Sequence, residues 1–346
     1  MDGIYELEVL IAALKQIKKP NMFLWNLLVR KEIPEIKAKF EVHTKNARRR
    51  MAPFVGKYSK GTFFEKEGST IEEFEPGKIL PFRRAFADEL FQQHFGQTIY
   101  GNSISPEDLA MDEVAKELEY LDTAIIRREN WLLAKLLTTG VMPIIGENIN
   151  RAITFGKANT EKLSGNSLWS DTANADTSDP IAYIKNKQME ILKETGSLID
   201  SVILGKDAAD SFLRHPKVTE KLKYTTADVL RINPRGLGDG AKYLGTISEL
   251  EVDIYSFVDW VENPETGKDE ELFPAKGVLG VKSKSIEVHY GAIAQMGEDK
   301  VNRIYSGKRI PKVWTNQSED SKYIRLGSAP LPLPDDARGW FFATVL

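Results

Sequence analysis

Apolar residues near the start of the chain follow a helical rhythm. Leu7, Leu10, Ile11, Leu14 and Ile17 share one face of residues 4–19, and Pro20, which has no N–H to continue the ladder, ends that helix. A dense run follows at once: Met22-Phe23-Leu24-Trp25-Asn26-Leu27-Leu28. So apolar a stretch must lie on something, either the chain's own core or a neighbouring molecule.

The rhythm then changes. Pro53, Pro76 and Pro81, with Gly56, Gly61, Gly68 and Gly77, punctuate strand-prone pieces such as Gly61-Thr62-Phe63-Phe64 and Lys78-Ile79-Leu80. This predicts a long two-stranded excursion turning near Glu67-Gly68-Ser69-Thr70. Two arms of about 15 residues reach on the order of 50 Å. A bare hairpin is marginal in water, so one this long needs a second surface.

Residues 105–139 carry the clearest signal. Ser105 suits a cap, Pro106 the first helical position, and Glu107 and Asp108 the positive end of the dipole. Val114, Leu118, Leu121, Ile125, Leu132 and Leu136 mark one stripe, and Gly140 and Pro143 close it. A helix of about 30 residues, roughly 45 Å long, is predicted. Beyond it, residues 149–155 read as a strand and the polar stretch 164–180 as a loop or junction. From 181 the pattern is mixed: helices at 181–195 and 206–222, strands at Leu198–Leu204, Glu251–Val261, Val278–Tyr290 and Lys322–Leu326. The apolar tail Gly339-Trp340-Phe341-Phe342-Ala343-Thr344-Val345-Leu346 should be a buried strand. The fold class is α+β.

Composition narrows the chemistry. A chain of 346 residues that is 42% hydrophobic can fill one large core or two medium ones. The net charge of −3 offers no basic excess for nucleic-acid binding as the main purpose. With no cysteine there is no disulfide, thiolate site or cysteine nucleophile. The N-terminus opens on acid, unlike a signal peptide, and no segment approaches the roughly 20 apolar residues of a membrane span.

Gly236-Leu237-Gly238-Asp239-Gly240 lacks the Lys-Ser or Lys-Thr of a phosphate loop and reads as a mobile loop. His43, His94, His215 and His289 have no ligand spacing, no Gly-x-Ser-x-Gly elbow occurs, and Asp335-Asp336 and Glu72-Glu73 read as solvated turn acids. Arg48-Arg49-Arg50, with Lys45 and Lys57, could touch nucleic acid. A solvated cluster, or one pairing with the acidic Glu65–Glu75 segment of a neighbour, is favoured. No catalytic, cofactor-binding or metal residue is assigned, and the chain is not expected to be an enzyme.

Ordered matches then appear. Gly68-Ser69-Thr70 is followed by Glu73-Phe74 and Pro76-Gly77. Val261-Glu262-Asn263 is followed by Phe273-Pro274 and Val278-Leu279-Gly280. Pro311-Lys312 and Trp314 precede Ser328-Ala329-Pro330-Leu331, and Phe23-Leu24 leads to Arg30 and Pro34. Taken together, from about residue 20 to the end, the set resembles the lambda-type major capsid protein E family. The loop here has one residue more between Thr70 and Glu73-Phe74, and residues 88–104, 164–180 and 233–245 match poorly.

The resemblance implies the Hong Kong 97-like capsid fold. Residues 1–52 would be an N-terminal arm and 53–90 the extended hairpin loop. Residues 91–180 would be a peripheral domain with its spine helix at 105–139, 181–305 the axial domain, and 306–346 a return to the peripheral domain. It further implies a major capsid protein that self-assembles as hexamers and pentamers into the icosahedral head around double-stranded DNA. Its partners would be a separate scaffolding protein, a portal protein and a decoration protein, with non-specific contact to packaged DNA and no membrane. Assembly would take place in the host cytoplasm. Phe23, Trp25 and Leu27 of the arm, and Phe63, Phe64, Gly68, Ile71 and Phe74 of the loop, would be subunit-interface residues. The alternatives are an encapsulin-like compartment shell and an α+β enzyme.

Overall fold

The structure, a computed structural model, describes residues 22–45, 69–86, 106–146, 149–155, 159–171, 177–223, 230–238, 240–297, 301–316, 318 and 321–346. The predicted helix 4–19, the triplet Arg48–Arg50, Phe63, Phe64, Gly68 and His94 lie outside the described residues.

In chain order, α1 (Phe23–Leu28) runs into β1 (Val29–Pro34), then β2 (Phe40–Lys45), β3 (Ser69–Phe74) and β4 (Phe82–Phe86). The long helix α2 (Pro106–Thr139) is followed by β5 (Val141–Gly146), β6 (Ile149–Thr154) and β7 (Asn159–Lys162). Next come α3 (Pro180–Thr195), β8 (Ser201–Leu204), α4 (Lys206–Arg214), α5 (Pro216–Lys223), β9 (Leu230–Gly238), β10 (Ala241–Ile247) and β11 (Val252–Phe257). The rest are strands: β12 (Trp260–Asn263), β13 (Lys268–Glu271), β14 (Gly277–Val281), β15 (Ile286–Tyr290), β16 (Ile293–Met296), β17 (Asn302–Tyr305), β18 (Ile310–Asn316), β19 (Ser321–Gly327), β20 (Pro330–Pro334) and β21 (Phe341–Thr344).

A seven-stranded sheet in the order β7-β21-β14-β8-β11-β10-β9 forms one layer. Strand side chains alternate between faces. Val202, Leu204, Val252, Ile254 and Phe341 therefore meet α3, α4 and α5 in one cluster. Ile203, Leu279 and Phe342 meet α1 and α2 on the other face. Because both faces are covered, every position of β8 and β14 is buried. Asp179 starts α3 by accepting from Ile181 N and Ala182 N, and Gly196, at φ 77°, ends it. The helix expected at 206–222 is two helices, because Pro216 lacks the N–H that would carry α4 onward; the break falls at His215.

The long helix packs along a second, three-stranded sheet, β18-β19-β4. Val114, Leu118, Leu121 and Ile125 press on Ile324 and Leu326 of β19. Further along, Leu133, Leu136 and Leu137 join the main core, where Trp340 Nε1 donates to the Leu137 carbonyl at 3.1 Å. A third sheet, β1-β15-β20, completes this half, with β1 parallel to β15.

Four expectations change. Ser69 and Thr70 do not turn; they lie in β3, which pairs with β2 from Phe40↔Phe74 to Lys45↔Ser69. The excursion is thus rooted at Phe40 and Phe74, so its first strand falls inside the span read as the arm. Residues 79–86 belong to the body, through the Ile79↔Ser328 bridge and the β4–β19 ladder. The strand Ile286–Tyr290, placed with the axial domain, pairs with β1 and β20 instead, while the tail strand β21 enters the seven-stranded sheet between β7 and β14. Finally, Gly236 and Gly238 are strand residues paired with β10, not a mobile loop. Gly240 then turns at φ 70°, where a Cβ would sit 1.8 Å from the Val258 carbonyl oxygen.

Candidate assembly surfaces

The root of the β2–β3 ladder is fixed to the body. Arg151 of β6 donates through Nη2 to the carbonyls of Glu75 and Pro76, at 2.5 and 3.3 Å. The Glu75 carboxylate takes Lys39 at 3.2 Å and Arg151 at 3.7 Å. The Lys39 hydrogen bond leads in holding its pKa below the usual carboxylate range. A Cβ on Gly77 would lie 2.7 Å from Ile144 of β5, and one on Gly291 would lie 2.6 Å from Pro76. Phe74 is buried against Phe155, with ring centroids 5.2 Å apart.

Four residues expected at subunit interfaces pack on their own chain. Phe23 is 7% exposed and Trp25 5%. The Phe23 ring lies tilted against both Tyr255 and Phe257, with ring centroids 5.3 Å apart in each pair. Trp25 Nε1 donates to Glu32 at 3.0 Å. Phe74 is buried likewise, and half-buried Leu27 packs on the same core. The apolar run at 22–28 thus lies on its own body, sharing with α2 the face of β8, β11 and β14 opposite α3, α4 and α5. Ile71 sits in β3 opposite His43.

Sequence reasoning missed a buried ion cluster under α2. Arg309, in the β17–β18 connection, bonds Glu129 through both terminal nitrogens, at 2.7 and 3.0 Å, and Asp122 through Nε. Glu129 is fully buried and Asp122 nearly so. Burial works against the guanidinium's charge, yet the charges and hydrogen bonds of Glu129 and Asp122 outweigh it and hold its pKa above the ordinary value. Ser328 joins from the β19–β20 junction at 3.2 Å. The cluster ties the helix to two strand connections. A readable signal existed: Asp122 and Glu129 interrupt the stripe Leu118, Ile125, Leu132 at helical spacing.

Buried polar groups elsewhere read as structure. His215 Nδ1 accepts from Lys217 N, and its Nε2 faces Ser178 Oγ at 3.3 Å. Ser178 gives its own proton to the Leu168 carbonyl at 2.6 Å. The imidazole is therefore a donor toward the serine and cannot act as its base. His289 Nδ1 meets Glu35 at 2.7 Å and its ring stacks on Phe40, stitching β15 to the root of the ladder. Among the described residues no group of three or more His, Asp or Glu could hold a metal, and no helix is long and apolar enough to cross a membrane.

A long helix laid along a small sheet, a larger sandwiched sheet and a separate two-stranded ladder define a subunit of the Hong Kong 97-like capsid fold. The model of the phage major capsid protein E family matches residues 6–345, and the chain belongs to that family. It is a structural, shell-forming protein of the phage head and works as a homo-oligomer. Among solved structures, it is similar to one described as a prophage capsid protein of Escherichia coli CFT073, at 16% identity and TM-score 0.69, over 98% of this chain and 99% of that one. A phage-related protein from Bordetella bronchiseptica RB50 matches at 12% identity and TM-score 0.53, over 97% and 96%. No curated protein matches the chain.

Proposed function

We propose that copies of this chain assemble in the host cytoplasm as hexamers and pentamers, on a separate scaffolding protein, around a portal, into the icosahedral shell that receives the genome. The observation that carries this reading is the separate two-stranded β2–β3 ladder, anchored at its root by Arg151. The excursion of one subunit lies over the next subunit's α2. Phe63, Phe64, Gly68 and Ile71 lie at that contact, the aromatic and aliphatic side chains supplying its apolar area. The peripheral unit is built on α2 with β1, β4, β15 and β18–β20; the axial unit comprises β7–β11, α3–α5, β14 and the returning β21. A decoration protein caps the finished shell, the shell makes non-specific contact with packaged DNA, and no reaction is assigned to the chain. Such contacts are heterologous, and the rotation between subunits closes the shell.

The test is expression with the scaffolding protein followed by negative-stain microscopy. Uniform closed particles are expected. A stable monomer under every condition would overturn the proposal.

A further inference from the structure

Two sheet faces of this chain, one half-buried and one exposed, are complementary in charge, in aromatic content and in spacing. The first is the side of β18-β19-β4 turned away from α2. Ile324 and Leu326 point to the helix, so the alternate positions point outward. Paired across the ladders, they form two rows: Lys312, Arg325 and Phe82, then Trp314, Tyr323 and Arg84. No strand position on this face is acidic. Trp314 and Tyr323 stack at 5.2 Å with their planes 6° apart, and Phe82 stands 58% exposed beside them. Lys312 and Arg325 lie directly opposite each other. Like charges so placed repel; Arg325 Nη2 donates to Gln295 at 3.0 Å, while its Nε is buried without a hydrogen-bond partner.

The second face is the outer side of the β12–β13 hairpin. Its inner side is held on α2, where Glu270 takes Lys135 and accepts from Trp131. The outer positions again form two rows: Trp260 with Glu271, then Glu262 with Asp269. Trp260 is 56% exposed, and Glu262 and Asp269 repeat the like-charge opposition with the sign reversed. On both faces the aromatic row and the charge row are one pleat repeat apart, roughly 6.7 Å. Laid face to face, Trp260 meets the Trp314–Tyr323 stack while Glu262 and Asp269 meet Lys312 and Arg325.

We propose that the β12–β13 hairpin of one subunit docks on the β18-β19-β4 face of another, a subunit contact distinct from the excursion. The contact rests on the shell reading above. Duplex DNA fits the basic face less well, because its base faces are hidden and the aromatic row would gain no partner. Each contact is modest, and repetition around the shell makes it count.

The experiment uses the full chain under conditions where the wild type closes into particles. E262K/D269K and K312E/R325E should each lose closed particles while the subunit's circular dichroism and melting stay unchanged. A chain carrying all four changes should regain them. Because the chain has no cysteine, D269C with F82C supplies a second readout: oxidised particles should run as a ladder of covalent multimers. Reversed variants that close like the wild type, a fourfold variant that does not recover, or cross-linking absent from intact particles would each overturn the contact and leave the shell reading standing. Normal closure of K312E/R325E with weakened DNA retention would assign the face to DNA and also overturn the contact. A wild-type chain that never closes would sink the shell reading itself.

Discussion

Replacing Arg309 with alanine strips the cation from the cluster beneath α2. Two carboxylates remain, Glu129 fully buried and Asp122 3% exposed. Water cannot reach them readily, and Ser328 is a weak substitute partner. Breaking a buried ion pair from one side costs about 3–5 kcal/mol. Unfolding entropy of about 2.1 cal/mol/K per residue amounts to roughly 0.7 kcal/mol/K for the whole chain. The melting temperature should therefore fall by about 4–7 °C if the chain unfolds as one cooperative unit. The assay is calorimetry of the isolated subunit at neutral pH, with the variant R309M/D122L/E129L as control. An apolar replacement of the entire cluster leaves no orphaned charge, so the control should recover most of the loss. A shift below about 1 °C for R309A, or a control as unstable as R309A, would refute the argument that burial of unpaired carboxylates dominates.

Phe23→Ala removes a ring packed on Tyr255 and Phe257, and should cost the isolated subunit about 3–5 kcal/mol in denaturant titration; a role limited to gripping neighbours predicts no change there. Gly240→Ala must hold φ 70° and meets the Val258 carbonyl, so a loss of at least about 2 kcal/mol and poor recovery of soluble subunit are expected. Burial holds the His215 pKa below its ordinary value despite the nearby Asp179 charge. Its stabilisation is thus complete above the unfolded value of about 6.5 and is lost as pH falls through the folded one. Melting temperatures taken from pH 7.5 down to 5 should drop, and H215Q should flatten that slope; an unchanged slope would remove His215 as the cause.

Local signals were legible where one stretch of chain decides the outcome. Pro106 and Gly140 bracket α2, whereas the single helix expected over 206–222 overlooks the break that Pro216 imposes. What could not be read was pairing at a distance. The β2–β3 ladder joins strands separated by the residues 46–68, and nothing local says that Phe40 faces Phe74. Arg309 stands 180 positions from Glu129, so the two acids in the α2 stripe announced a buried cation without naming it. The arm residues show a different limit. Phe23 and Trp25 are apolar enough for either a core or an interface, and only the three-dimensional location of the β8, β11 and β14 face decides between them.

The slot filled by β21 sets an order of events. Its neighbours, β14 and β7, precede it along the chain by about 60 and 180 residues, measured from Gly277 and Asn159 to Phe341. Until Phe341–Thr344 has left the ribosome, β14 shows an unpaired, wholly apolar edge and β7 has no strand to hold it. Synthesis thus withholds a finished sheet until its closing residues arrive. Any nascent chain stalled short of that point keeps an open apolar edge of the kind that invites mispairing and chaperone binding.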